Sequence, residues 1–337
     1  MRKINWSVLD LCPVVTNATS SQALQETLAL APFVEELGAT RYWVAEHHSM
    51  AGIASASPEV IIGHMAQVTE RMRVGSGGVM LPNHAPLRIA EAFRTLEAFH
   101  PGRIDLGVGR APGTNKSTTL ALRRTSADES VDEFPRELLE LKAYLSSRFA
   151  IDSPYEEVVA MPVVSSRPEL WMLGSSDFGA RLAGEQGLPY AFAQHFSPLP
   201  AAAVLKLYRD HFRPSPEQPK PKTIVAVHVI CGATDVQARE WAMPSDIAFY
   251  RYRTTGRSVP LPTFDEAKTS PLTPMERARL SSMSLHKIVG SPDTVRSALE
   301  MLSGEAKVDE LMVLTMIPDA AARQESYTRV AKMLQGG

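Results

Sequence analysis

Short apolar runs alternate along this chain with segments of helical period. Ile4–Leu9 reads as a strand, and Gln22–Leu37 carries apolar residues at helical spacing up to Gly38, a residue suited to end a helix. The aromatic and β-branched run Arg41–Ala45 is a second strand, with a helix after it over Pro58–Val68. Arg73–Met80 is a third strand, Pro86–Phe99 a helix and Arg103–Val108 a fourth strand. Both helices open on proline, where a missing N–H does no harm. A helix over about Asp132–Ser147 leads to strand Leu170–Leu173, helix Asp177–Gln186, strand Tyr190–Ala193 and helix Pro200–Phe212. After a proline-rich loop comes strand Ile224–Ile230. From Asp235 to about Leu285 the pattern is helix broken by Pro260–Pro274; strand Glu310–Thr315 and helix Asp319–Leu334 follow.

Eight strands, each followed by helix, predict parallel β-α units. A closed (β/α)8 barrel and an open doubly wound sheet both satisfy that pattern. The 337 residues leave room for one barrel of ~250 residues with insertions. The pattern places those insertions at about 126–168 and 260–286. The expectation is therefore one α/β domain over residues 1–337, without internal repeats.

Composition removes several function classes. Hydrophobic residues make up 44% of the chain, enough for a sizeable core, and the net charge of -2 carries no polybasic signal for nucleic acid or an acidic membrane. The two cysteines, Cys12 and Cys231, have neither disulfide-framework nor metal-ligand spacing, so reduced thiols in the cytoplasm are expected. Met1–Leu11 contains Asn5 and Asp10 and does not resemble a signal peptide; no 18-residue apolar stretch reads as a membrane span.

In parallel α/β folds chemistry collects just beyond the carboxyl ends of the strands. There the chain carries Glu46-His47-His48, Leu81-Pro82-Asn83-His84, Gly109-Arg110-Ala111-Pro112-Gly113, Gly174-Ser175-Ser176 and Gln194-His195-Phe196, with Gly75-Ser76-Gly77-Gly78 inside the third strand. Histidine can move protons near neutral pH. A Gly-Ser-Ser turn at a helix start offers N–H and hydroxyl donors to an anion, and Arg110 adds a fork suited to phosphate. Glycines in a strand admit a flat ring close to the backbone. Together these residues describe a planar, phosphate-bearing cofactor beside a histidine. Each also has a plainer reading: strand glycines mark bulges, Gly-Ser-Ser is an ordinary helix cap, Arg110 pairs with Asp105 or Glu46, and His84, His195 and His228 belong to core or surface. A metal site from Glu46, His47 and His48 is not expected, because adjacent strand residues face opposite sides.

Three pieces in order, Arg41–His48, Val74–Pro82 and Pro101–Arg110, resemble the bacterial-luciferase-like family of flavin-dependent monooxygenases; Leu173–Ser176 and Gln186–Pro189 continue the likeness more weakly. The resemblance implies a luciferase-like TIM barrel with FMN at the carboxyl end of the strands. It implies His47 as the catalytic residue and a non-proline cis peptide at Gly77-Gly78 against the flavin ring. It assigns the phosphate to Arg110, Gly174, Ser175, Ser176 and Gly179. Glu46, His48, Gln194 and His195 become substrate-pocket candidates. A monooxygenase using O2 and a separate reductase is implied, since no Gly-x-Gly-x-x-Gly fingerprint for a nicotinamide follows a strand. The substrate would be a small organic molecule, aldehyde-like by analogy. A homodimer is implied, with helix Pro58–Val68 as a candidate interface, and either insertion could form a lid. Gly109 stands where the luciferases carry a cysteine, which speaks against light emission. Related barrels use the deazaflavin F420 for hydride transfer. Non-enzymatic flavin-binding relatives have lost part of the barrel, whereas this chain keeps all eight units.

Overall fold

Parallel strands covered on both faces are apolar throughout rather than alternating. Thr223–Cys231 follows that rule, with all nine residues buried. The computed structural model describes residues 4–111, 116–123, 133–149, 153–283 and 287–335. Its strands are β1 (Asn5–Asp10), β2 (Arg41–Val44), β3 (Arg73–Met80), β4 (Ile104–Gly109), β5 (Glu169–Gly174), β6 (Tyr190–Ala193), β7 (Thr223–Cys231), β8 (Lys287–Gly290) and β9 (Glu310–Leu314). β1 to β7 pair in chain order, and β9 pairs in parallel with both β7 and β1. That closure leaves no free edge among the eight, so the architecture is the TIM barrel and not the open sheet.

The helices around it are α1 (Ser20–Glu36), α2 (Pro58–Val68), α3 (Pro86–Phe99), α4 (Lys116–Arg123), α5 (Phe134–Ser146), α6 (Asp177–Glu185), α7 (Ala201–His211), α8 (Asp235–Thr255), α9 (Phe264–Thr269), α10 (Pro274–Met283), α11 (Pro292–Ala306) and α12 (Ala320–Leu334). Besides α4 and α9, which lie where no helix was expected, β8 and α11 depart from the expected pattern. β8 extends the upper half of β7, pairing with His228–Cys231 beyond the reach of β6. α11 separates it from β9. Lys287-Ile288-Val289-Gly290 is too short to show a period, and α11 buries only Val295, Leu299 and Ala306, so neither announces itself in the chain. Residues 112–115, 124–132, 150–152 and 284–286 lie outside the described residues, and with them Pro112, Gly113 and part of both expected insertions.

Apolar side chains form two layers. An outer layer between strands and helices includes Tyr42, Phe93, Leu106 and Tyr208. An inner one fills the barrel with Leu9, Trp43, Trp171, Ala191 and Met312. Trp43 and Trp171 meet edge to face at 5.5 Å, a favoured aromatic geometry.

Beneath them the barrel floor is ionic. Arg41, 2% exposed, donates to Asp105 at 2.7 Å and to Glu310 at 2.8 and 3.1 Å, and its guanidinium lies 4.9 Å from the Trp171 ring. Burial alone would lower its pKa, but Asp105 and Glu310 raise it well above its ordinary value. A buried cation is tolerated only when it is paired this fully. The floor seals one end of the barrel; the other end is open.

Candidate active site

The carboxyl ends of the strands surround a cavity of about 1110 Å³. Arg110, Gly174, Ser175, Ser176 and Gly179 line one part of it. His47, Gly77, Gly78 and His195 line it as well. Glu46, His48 and Gln194 do not line it.

The anion-binding features lie at the ends of β4 and β5. The Arg110 guanidinium stacks on Phe178 at 4.1 Å. It pairs with neither expected carboxylate: Asp105 lies in the barrel floor and accepts from Arg41, Arg73 and Trp43, and Glu46 accepts from His48 and His84. Among the described residues Arg110 forms no ion pair. Ser176 stands at the N-cap of α6 with extended backbone, yet its side chain makes no capping bond. The plain capping role of Gly-Ser-Ser therefore does not consume this hydroxyl, and the first-turn N–H groups of α6 point the same way. Ser197 Oγ donates to the Ser175 carbonyl at 2.7 Å and holds the turn in place.

The glycines have packing reasons as well as room for a ligand. The Gly77-Gly78 peptide bond is cis, and the register between β3 and β4 shifts there. A Cβ at Gly77 would lie 2.8 Å from Leu9 Cδ1, and one at Gly78 2.7 Å from the Gly107 carbonyl oxygen. Gly174 and Gly179 face each other, a Cβ on either meeting the other's Cα at 3.3 Å. Side chains at these positions would strike the protein, while the bare backbone borders the cavity.

His47 follows β2, with its backbone N–H donated to the Ser55 carbonyl at 2.9 Å. Its Nδ1 is buried and has no hydrogen-bond partner. Burial pushes its pKa down to about 4 against the opposing pull of Glu46, so the ring is neutral at pH 7. Glu46 faces away from the cavity, which corrects its expected place there together with that of His48. Its Oε1 accepts from His48 Nε2 at 2.7 Å and His84 Nε2 at 2.8 Å, and its Oε2 from the Met80 N–H at 2.9 Å. The carboxylate thus ties the end of β2 to the end of β3 on both sides of His47.

Burial works to raise the Glu46 pKa, but the bonds from His48 and His84 prevail and bring it from 4.5 to about 2. A folded value below the unfolded one means stability that is present above about 4.5 and lost as pH falls towards 2. Glu46→Gln is therefore expected to destabilise the protein by about 2 kcal/mol at pH 7. Urea unfolding should show that gap closing as pH falls through this window. A gap that stays constant with pH would count against the ionised carboxylate as its source.

Gln194 likewise turns from the cavity. It donates to the Leu199 carbonyl at 3.1 Å and accepts from the Ala201 N–H at 2.8 Å, holding the start of α7. His195 donates from Nδ1 to the Ala226 carbonyl at 3.3 Å, and burial lowers its pKa to about 4. His228, read from the chain as core or surface, also lines the cavity. Its Nε2 accepts from the Met316 N–H at 3.4 Å, and burial, then Lys287, hold its pKa well below the ordinary value. Ala226, two residues earlier on the same face of β7, lines the cavity too, but the uniformly apolar strand gave no sign of which face that is.

The later insertion reaches the cavity through Leu261, the residues just before it through Ser258 and Val259, and α8 through Phe249 and Arg253; no described residue of 126–168 does. The helical pattern of α8 gave no sign of which residues would face inward, because Pro244 interrupts it.

A family model for luciferase-like monooxygenases matches residues 8–309. A luciferase-like monooxygenase of Escherichia coli is 39% identical over 326 residues, covering 97% of this chain and 96% of that protein. The solved structure of apo-MsnO8 superposes with a TM-score of 0.88 at 36% identity, covering 98% of each chain. The oxygenating constituent of 3,6-diketocamphane monooxygenase from Pseudomonas putida, solved with FMN, shares the fold at a TM-score of 0.72 and 19% identity, again over 98% of each chain. With the closed barrel and the first three motif pieces in place, this chain belongs to the luciferase-like monooxygenase family.

Proposed function

We propose that this protein is the oxygenase of a two-component system, binding reduced FMN from a separate reductase and using O2 to oxidise a small organic molecule. One observation carries the reading. An arginine without a carboxylate partner, a serine turn with an unused hydroxyl and a neutral imidazole all line one cavity. Phosphate would sit on Arg110, Ser175, Ser176 and the first turn of α6, with the backbone of Gly174 and Gly179 close behind. The ring would lie along Gly77 and Gly78. When bound, reduced flavin would supply the oxygen chemistry, with one atom of O2 going to the substrate and the other to water. His47, neutral in its pocket, handles a proton at the reacting centre, and the apolar walls exclude water.

We also propose a cytoplasmic homodimer. The exposed Val60 and Val68 of α2 and Phe99 at the end of α3 support an apolar contact, and no helix among the described residues is long and apolar enough to cross a membrane.

Equilibrium titration of the flavin-free protein with FMN, riboflavin and F420 tests the reading. FMN should bind more tightly than riboflavin, which lacks the phosphate. Arg110→Ala should weaken FMN by about 10- to 100-fold, the range for a hydrogen bond to a charged group, and leave riboflavin unchanged. Failure to bind FMN in either redox state overturns the proposal. Preference for F420 would replace oxygen chemistry with hydride transfer.

A further inference from the structure

The charges lining the cavity are one-sided. Its described lining includes Arg110, Arg253 and Lys287 but no aspartate or glutamate. Lys287 is already neutralised: its Nζ lies 2.6 Å from Asp246 Oδ1 and 2.9 Å from Ser245 Oγ. Arg110 lies beside the serine turn at the ends of β4 and β5. Arg253 is left, and it forms no ion pair with the described residues.

The position of Arg253 is well defined. It stands in the last turn of α8, which ends at Gly256 with φ +68°. The chain then crosses to the loops after β1 and β2. Ser258 Oγ accepts from the Gly52 N–H at 3.1 Å, and the Leu261 N–H donates to the Val14 carbonyl at 2.7 Å. The loop after β2 is the one that carries His47. Arg253 thus lines the cavity from the end of α8, just before the segment that is tied to the loops after β1 and β2, whereas Arg110 follows β4. Ser258, while accepting from Gly52, keeps its own hydroxyl proton to donate. The surrounding lining is apolar, with Met50, Ile53, Phe249, Val259 and Leu261.

We propose that Arg253 recognises an acidic head group on the substrate, and that the substrate class is an apolar molecule ending in a carboxylate. This rests on the flavin reading, which assigns Arg110 to the cofactor. At the edge of a cavity without acidic side chains an unpaired cation favours an anion over an amine. A neutral head group would gain only an ordinary hydrogen bond from it, weaker than one to a carboxylate. Arg253 with the Ser258 hydroxyl would hold the head group, while the chain of the substrate lies along the apolar lining towards His47.

An exposed arginine in a last helical turn also complements the helix dipole, and the experiment separates the two roles. Octanoate, 1-octanol and octylamine have equal apolar length and differ in head-group charge. Each is titrated calorimetrically into FMN-saturated and FMN-free protein. Octanoate should bind the FMN-saturated protein about tenfold or more tightly than 1-octanol, with octylamine weakest. Arg253→Gln should bring octanoate to the level of 1-octanol without changing the FMN Kd. Equal binding of octanoate and 1-octanol, or a preference that survives Arg253→Gln, overturns the proposal. A preference in the FMN-free protein that vanishes in Arg110→Ala but not in Arg253→Gln overturns it too. FMN affinity measured on the same samples keeps the two readings apart: its absence rejects the flavin assignment, while normal FMN binding without a head-group preference rejects only this one.

Discussion

Replacing His47 with alanine is expected to slow substrate oxidation by about 10²–10⁴-fold, the contribution of a positioned proton-transfer group, while FMN still binds. The ring is held in place from outside the cavity: Ser55 fixes the backbone at His47, and Glu46 with His48 and His84 locks the segment on either side. Its Nδ1 is buried without a partner in the protein, and the residue lines the cavity. Because burial has lowered the pKa to about 4, the imidazole is a neutral acceptor throughout the physiological range. Protonation sets in only as pH falls towards 4, so the acid limb of the rate profile should appear there and not near 6.5. Single-turnover measurements with photoreduced FMN remove the reductase from the assay. Undiminished turnover in His47→Ala would place the chemistry elsewhere in the cavity.

The largest expected loss of stability comes from the opposite end of the barrel. Asp105→Ala removes the 0% exposed carboxylate that accepts from Arg41 at 2.7 Å, Arg73 at 2.7 Å and Trp43 Nε1 at 2.9 Å. Arg41 would then be buried with less charge to balance it. Breaking such a pair by removing one partner costs about 3–5 kcal/mol. The midpoint of urea unfolding should fall accordingly. Trp43 belongs to both ends, since its indole N–H reaches Asp105 and its ring lines the cavity. Weaker FMN binding is therefore expected alongside the stability loss. A variant with an unchanged midpoint would show that Glu310 and Glu169 suffice to balance Arg41.

Much of the site was legible because it rests on short, contiguous segments. His47, Arg110 and the turn at Gly174-Ser175-Ser176 each follow a strand, and a barrel brings all strand ends to one rim. Their convergence on one cavity follows from the topology once the strands are recognised. The orientation of individual side chains was less legible. Glu46, His48 and Gln194 sit beside cavity residues in sequence but turn away to satisfy backbone and imidazole donors. Which neighbour faces inward depends on the loop path and on partners such as His84, 38 residues from Glu46.

The chain by itself determined the parallel β-α order, the positions of most elements and the set of residues available at the strand ends, because these depend on local period and on turn chemistry. Tertiary structure alone decided three things. It closed the barrel through β9. It brought Ser258 and Leu261 to the cavity by tying the segment after α8 to Gly52 and Val14. It left Arg110 without a carboxylate partner, with Asp105 in the barrel floor against Arg41 and Glu46 bonded to two histidines. The reason is physical: pairing and charge balance are settled between groups far apart in sequence, and no local pattern records which partner will be taken.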